Sequence, residues 1–361
     1  LLVADGESWR HQRRLVQPAF HHAALDQIVG HVGAATERMA GRWSRLHSGA
    51  VVDVEAELLG ASLEVVGHAL FGTDLSAAAQ LITDATLDAL DVVVARARVP
   101  ITPPAWLPTP ANRRLQRSVR VLDAAVRSIV AERRSGVGGA AARDMLDLLL
   151  SATDESGSRL SDIEVRDEVV TFIVAGHETV ASALTWTLAL LAEHGDVAAE
   201  LAEESDSVLA GRIPTMTDFS RLTFARAVID ESLRLYPPAW LISRSALSAD
   251  VLGGVDVPKS ALIIMSPWLL HRHPGRWTDA ERFRPERFLA PDTDRTAFIP
   301  FGAGPRQCIG RDFAYLESVL MLASLAGRFR FEYPRGCRIP AAFPSVTLRP
   351  AGGLRLSVAR R

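Results

Sequence analysis

The sequence predicts a mainly α-helical protein with small β-sheets, built as one domain over residues 1–361. Three observations lead there. Long stretches before residue 236 space apolar residues three and four apart with Arg and Glu between them, the period of amphipathic helices. Strands and helices do not alternate as a parallel-sheet protein would require. After Pro237-Pro238 the texture changes to short β-branched runs split by Gly and Pro, so a β-richer region, 237–361, follows a helix-rich region, 1–236. At 361 residues, 48% hydrophobic and 23% charged, the chain has ordinary globular composition and enough length for a deep core.

Taken in order, residues from about Ala23 to Leu46 and from about Asn112 to Arg134 read as helices. Val99–Pro110 holds five prolines and one Trp, which dictates an irregular loop. Ser135–Ala142 is rich in Gly and Ala and is expected to be mobile. Ser161-Asp-Ile-Glu164 is a capping box, in which hydroxyl and carboxylate satisfy opposite orphan N–H groups. The apolar pattern then runs without proline to about Glu193, a helix roughly 45–50 Å long that must cross the whole molecule. Ser220–Tyr236 is a further helix, stopped by Pro237-Pro238. Leu241–Leu247 and Ala261–Ser266 read as strands, with turns at Gly253-Gly254 and Pro258-Lys259. An Arg- and Pro-rich segment leads to Pro300, a helix follows Cys308 to about Arg328, and short strands complete the chain. There is no internal repeat and no low-complexity tract.

Bulk properties narrow the function classes. A formal net charge of −2 gives no global drive toward nucleic acid or anionic membrane. Two cysteines, Cys308 and Cys337, fit a reducing, cytoplasmic setting better than a disulfide framework, although the count alone permits one bridge between them. The longest apolar runs, Ala181–Ala192 and Val319–Ala326, fall short of a membrane span, and no signal peptide is visible. The chain begins with Leu rather than Met.

Chemistry concentrates in Phe301-Gly-Ala-Gly-Pro-Arg-Gln-Cys308-Ile-Gly310. The Gly-rich turn lets backbone approach a flat partner closely. The following helix aims free N–H groups and positive dipole at the sulfur. Both favour thiolate over thiol, and a shielded thiolate with one open face suits a single-Cys haem ligand. A cysteine nucleophile would need a partner His, and none of the ten His residues stands in a motif that supplies one. Zinc is poorer still, because two distant cysteines give no ligand pair. A structural cysteine beside a tight turn is the bland alternative, yet coincidence of all five fixed positions has a chance well under about one in a million.

Those positions, Phe301, Gly304, Arg306, Cys308 and Gly310, match the haem-binding signature of the cytochromes P-450, Phe-x-x-Gly-x-Arg-x-Cys-x-Gly, and the chain resembles that family from Trp9 to Gly352-Gly353. The resemblance implies the cytochrome P-450 fold, haem b (iron protoporphyrin IX) contacted by the Phe301, Gly302 and Gly310 loop, and Cys308 as the metal ligand. Ala175-Gly-His-Glu-Thr179, midway along the long helix, resembles the family's oxygen-activation motif. Gly176 and a back-bonding Thr179 should loosen the helix into a bulge beside Ala175, with Glu178 and Thr179 as catalytic proton carriers. The second Thr common in the family is Val180 here. Read alone, the same pentapeptide fits a helix with a solvated Glu.

Glu231 and Arg234 share a helical face; the resemblance pairs them with Arg287 of Pro285-Glu-Arg-Phe288 as a structural clamp. Trp9, Arg13, Arg306 and Arg244 resemble the family's donors to the haem propionates, although each Arg could equally be solvated and Trp9 could be core. Pocket candidates are Phe172, Ile173, Ala175, Ala239, Trp240, Leu241 and Ile242, with the loop near Trp106 and the tail near Phe343–Val346; each is as compatible with core packing. Relatives usually carry a further N-terminal segment of strands and early helices, which this chain is expected to lack. The implied reaction is monooxygenation of a small apolar substrate of terpene, fatty acid or polyketide type by dioxygen. With no flavin or nicotinamide domain, electrons would come from a ferredoxin or flavodoxin-type donor with its reductase, docking near Arg306 and Arg311. Rival readings are a peroxide-driven or isomerase-type haem-thiolate enzyme, against which Glu178-Thr179 argues, and a non-catalytic haem protein with His177 as sixth ligand.

Overall fold

The computed structural model describes residues 1–20, 22–99, 101–135, 144–151, 159–291 and 293–361, with the side chains of 22–24 left aside. The Gly/Ala-rich stretch expected to be mobile falls, apart from Ser135, outside the described residues. In chain order the helices are α1 (Gly6–Val16), α2 (His22–Ser44), α3 (Val54–Phe71), α4 (Ala79–Ala97), α5 (Pro110–Arg134), α6 (Met145–Ser151), α7 (Asp162–Leu191), α8 (Gly195–Leu209), α9 (Met216–Phe219), α10 (Thr223–Leu235), α11 (Pro267–Leu270) and α12 (Arg311–Ala326). The strands are β1 (Ala50–Asp53), β2 (Ile242–Ser245), β3 (Asp250–Leu252), β4 (Val255–Val257), β5 (Leu262–Met265), β6 (Phe329–Glu332), β7 (Ala342–Pro344), β8 (Leu348–Pro350) and β9 (Arg355–Arg360). The mainly α architecture with small antiparallel sheets is the one the periodicity predicts.

Helix starts follow their caps. At α5 the Thr109 hydroxyl accepts the Asn112 N–H at 3.1 Å, and Pro110 takes the first helical position, so the helix begins two residues ahead of the apolar pattern. At α7 both halves of the capping box form: Ser161 N–H donates to Glu164 Oε2 at 2.8 Å, and Glu164 N–H donates to the Ser161 hydroxyl at 3.3 Å. The helix expected over Ser220–Tyr236 is α10, which starts three residues later at Thr223, after the short α9. Its true start is capped from a distance, because the Glu204 carboxylate of α8 accepts the N–H groups of Phe224 at 2.7 Å and Ala225 at 2.8 Å.

Helix α7 runs through the middle, packed against α3, α5, α10 and α12. It is the one described helix long and apolar enough to cross a membrane, which corrects the expectation that no stretch reaches that length; 67% of its apolar window is buried inside the protein, as in a core helix. Strands β1, β9 and β6 form an antiparallel sheet with Val52 opposite Leu356, tying the first residues after α2 to the last strand. The antiparallel pair β2–β5 and the hairpins β3–β4 and β7–β8 make up the other sheets. One continuous core includes Met39, Leu58, Ile173, Leu184, Trp186 and Leu320.

Candidate active site

The cysteine loop is shaped by two glycines in the left-handed region, Gly302 at φ 69° and Gly304 at φ 71°, where a Cβ would strain the backbone. The Cys308 N–H donates to the Phe301 carbonyl at 2.9 Å and closes the loop, and α12 begins three residues later. Cys308 and Cys337 are both free thiols, which settles the bridge that counting permitted. Cys308 is exposed, yet protein surrounds it closely enough that burial pushes its thiol upward. The Gly310 N–H and the charges of Arg13 and Arg311 act in the opposite direction without reversing it. The helix start was expected to make the thiolate the favoured form; in the protein alone desolvation wins, so a cation at the sulfur is what would hold the thiolate.

Cations converge on this loop. The Arg306 guanidinium lies over the Trp9 ring at 4.4 Å and donates to the Ala4 carbonyl and the Asp5 carboxylate, both at 2.7 Å. Arg13, one turn beyond Trp9 on α1, donates to the Gln307 carbonyl at 3.2 Å, and burial lowers its pKa against the pull of Cys308. Arg244 stands apart on β2, exposed and donating to the neighbouring Ser243 carbonyl at 2.8 Å. Two residues before it on the same strand face, Ile242 comes 3.8 Å from where a Cβ on Gly302 would sit. The strand therefore lies against the loop at Gly302.

Within α7, Ala175 is exposed while Phe172, Ile173, His177 and Glu178 are buried, so the middle of a core helix opens to one side. Thr179, about 40° round the helix from Ala175, donates its hydroxyl to the Ala175 carbonyl at 2.7 Å. The expected bulge is absent, and α7 is continuous α-helix through Gly176. The reason for glycine is packing: a Cβ there would lie 2.8 Å from Val66 Cγ2 on α3. Glu178 does not present a solvated carboxylate. It is 3% exposed and accepts a hydrogen bond from the Thr347 hydroxyl, with the Arg349–Glu55 pair beside it. Burial raises its pKa to about 7. His177 lies some 200° round the helix from Ala175, fully buried, with Nδ1 2.6 Å from the Ile173 carbonyl; it turns away from the open side, which removes it as a sixth ligand.

The pocket candidates divide. Ala239, Leu241 and Ala175 are exposed and Ile242 is half-buried. Trp240 is anchored, its indole N–H donating to the Ser345 carbonyl at 2.9 Å. Ile173 is wholly buried, and Phe172 packs its ring 5.8 Å from Phe20, so both belong to the core. Trp106 is 79% exposed on its loop.

Glu231, Arg234 and Arg287 meet as one network. Arg234 grips Glu231 with two bonds, at 2.7 and 2.9 Å, and Arg287 Nε reaches the same carboxylate at 3.0 Å. Arg234 also donates to the carbonyls of His271 at 2.8 Å, Ala280 at 2.6 Å and Arg282 at 3.0 Å. Sequence reasoning missed Thr347, whose distance of 169 residues from Glu178 hides the contact. It also missed Glu317, a lone acid inside the apolar run of α12 and therefore visible in principle.

Cys308 closes a loop that Gly302 and Gly304 shape without side chains, and Arg13 and Arg306 meet that loop; a cysteine and cations so placed suit a flat anionic macrocycle whose metal takes a thiolate. This class of site is a haem-thiolate centre. The family model described as Cytochrome P450 matches residues 1–357. Among relatives, the cyclooctat-9-en-7-ol 5-monooxygenase of Streptomyces melanosporofaciens is 38% identical over 344 residues, covering 92% of this chain and 72% of that protein. The pentalenene oxygenase of Streptomyces avermitilis is 38% identical over 334 residues, 91% of this chain and 73% of that one. Cyclooctatin synthase of Streptomyces melanosporofaciens is 36% identical over 365 residues, 99% and 77% respectively. The chain belongs to the cytochrome P450 family. It is accordingly a haem-dependent monooxygenase that takes electrons from a redox partner and oxidises a hydrophobic substrate with dioxygen.

Proposed function

We propose that Cys308 is the thiolate ligand of haem b, and that the chain acts as one catalytic domain on a cyclic hydrocarbon of terpene type. The observation that carries the ligand assignment is Cys308 itself, deep in the protein yet accessible, after a loop that Gly302 and Gly304 fold flat. The relatives named for cyclooctat-9-en-7-ol and pentalenene support a ring skeleton over a fatty acid or polyketide.

Bound haem supplies the redox centre at which dioxygen is split, one atom entering the substrate and the other leaving as water. The protein's own groups do the rest. Arg13 and Arg306 on one side of the cysteine loop and Arg244 on β2 are the residues that would hold the haem propionates, as charged donors to carboxylates. Trp9 keeps the Arg306 guanidinium flat by stacking beneath it. Thr179 carries a proton at Oγ1 on the open side of α7, its back-bond to Ala175 fixing the oxygen in place. Glu178, raised to about 7, holds a proton behind it and passes it on when the Thr347 bond opens. Ala175, Ala239, Leu241 and Ile242 line the substrate side with apolar surface. Electrons arrive from a ferredoxin or flavodoxin-type donor docked near Arg306 and Arg311, in the cytoplasm.

The reduced carbon monoxide complex of the haem-loaded protein should show the strongly red-shifted Soret band of thiolate ligation. Cys308→Ser should lose that band while Cys337→Ser keeps it; an unshifted wild-type spectrum, or a shifted one in Cys308→Ser, would overturn the assignment. Spectral titration with a panel of cyclic terpenes and fatty acids tests the substrate class, and tighter binding of fatty acids would reverse it.

A further inference from the structure

The Glu231–Arg234–Arg287 network explains how α10 is held, but not how that rigidity reaches the cysteine loop. His271 supplies the connection. It lies just after α11, fully buried, and its two ends face different partners. Its backbone carbonyl accepts Arg234 Nη1 at 2.8 Å. Its ring Nε2 accepts the Ile299 N–H at 2.9 Å. Ile299 in turn accepts the Gly302 N–H at its carbonyl, at 3.0 Å, and Phe301 accepts the Cys308 N–H at 2.9 Å. A short run of hydrogen bonds thus leads from the buried carboxylate of Glu231, through a single histidine, to the backbone of the two turns that set the sulfur.

The chemistry of the ring suits the task. An Nε2 that accepts cannot also carry the proton, so the proton sits on Nδ1, which is buried near the carbonyls of Leu233 and Arg234 at the end of α10 without a hydrogen bond of good geometry to either. Burial, with Arg234 and Arg272 nearby, keeps the imidazole neutral down to about pH 4. The acceptor is therefore present at neutral pH. The ring also packs 5.4 Å from Phe298 at a 40° tilt, which fixes its plane. Without this acceptor the half-buried Ile299 N–H, just ahead of a Gly-rich turn, would lose its partner and the turn would be freer to shift.

We infer that His271 is a positioning residue for the thiolate ligand, holding the Ile299 amide so that the Phe301–Gly310 loop keeps Cys308 in one fixed position for ligation. The inference rests on Cys308 being that ligand, and two separate readouts keep the two claims apart.

The haem-loaded protein is compared with His271→Gln, which keeps an acceptor at the reach of Nε2, and with His271→Asn, polar but too short, and His271→Phe, a ring without an acceptor. Hydrogen exchange at the Ile299 amide should be as slow in Gln as in wild type, and at least about tenfold faster in Asn and Phe. In the same samples the carbon monoxide complex should keep the full red-shifted band in wild type and Gln. In Asn and Phe part of the band should move to the unshifted position. Equal exchange in all four proteins, or Asn and Phe spectra identical to wild type, would overturn the inference. If Phe fails to fold, the Gln–Asn contrast decides alone. A wild type without the shifted band would instead defeat the ligand assignment, while the Ile299 exchange rates still decide whether His271 holds the loop.

Discussion

Glu317 shows how much one side chain can matter. It sits in the middle of α12 with 0% exposure, the Ser62 hydroxyl nearby but no hydrogen bond of good geometry to either oxygen. Burial raises its pKa to about 8. The folded protein therefore keeps a proton that the unfolded chain releases near 4.5, so stability is fullest below pH 4.5 and declines as the pH rises toward 8. Glu317→Gln, neutral and of the same shape, should remove that decline. Thermal unfolding should show the variant more stable by roughly 1–3 kcal/mol at pH 8.5 and nearly equal at pH 4.5; a gap independent of pH would contradict the assignment. Thr179 is the corresponding case for chemistry. A positioned proton donor contributes about 10²–10⁴-fold, so Thr179→Ala should lower product formed per electron pair by at least ~10-fold, the electrons going to peroxide or water. Product yield measured against reductant consumed tests this, and unchanged coupling would take Thr179 out of the proton path.

At the scale of elements, α7 depends on how closely α3 can approach. Glycine at 176 costs about 1 kcal/mol of helix propensity against alanine, so Gly176→Ala in an isolated helix would stabilise. In the protein the new Cβ would meet Val66 Cγ2 at 2.8 Å, and Val66 is β-branched and fully buried, with little room to turn. Overpacking of this kind costs about 1–3 kcal/mol. The expected net effect is a loss of stability, recovered in part by Val66→Ala in the same chain; denaturant unfolding of the two single variants and the double variant measures the coupling. The same contact explains why the predicted bulge is missing. Its supposed cause, a helix-loosening glycine, serves instead to let two helices pass.

Across the whole molecule, the buried clamp joins α10 to the Arg- and Pro-rich segment and, through it, to the cysteine loop. Glu231 and Arg234 are both 0% exposed. Removing one partner of such a pair leaves an uncompensated charge, at a cost of about 3–5 kcal/mol. Glu231→Gln should therefore destabilise the protein by that order. Arg287→Ala should cost less, because the Arg287 side chain is 11% exposed and Glu231 keeps Arg234. Urea unfolding of the two variants checks the order, and a larger effect from Arg287→Ala would refute the hierarchy.

Much of this architecture was legible in the chain. The capping box at Ser161, the Pro237-Pro238 stop and the glycine turns are local, set by side chains bonding to backbone a few residues away, so the sequence determined where those elements begin and end. The motif from Phe301 to Gly310 lies within ten residues and was legible for the same reason. Other features were decided only in three dimensions. The start of α10 is capped by Glu204 on another helix. Glu178 is turned by Thr347 from the last hairpin, and Gly176 is required by Val66. The Cys308 thiol is pushed upward by the burial of its surroundings in spite of the adjacent helix start. Each of these depends on groups far apart in sequence and on the exclusion of water around them. Burial and long-range hydrogen bonds arise only when the chain has packed, so local residue spacing could place the chemistry along the chain but not its surroundings.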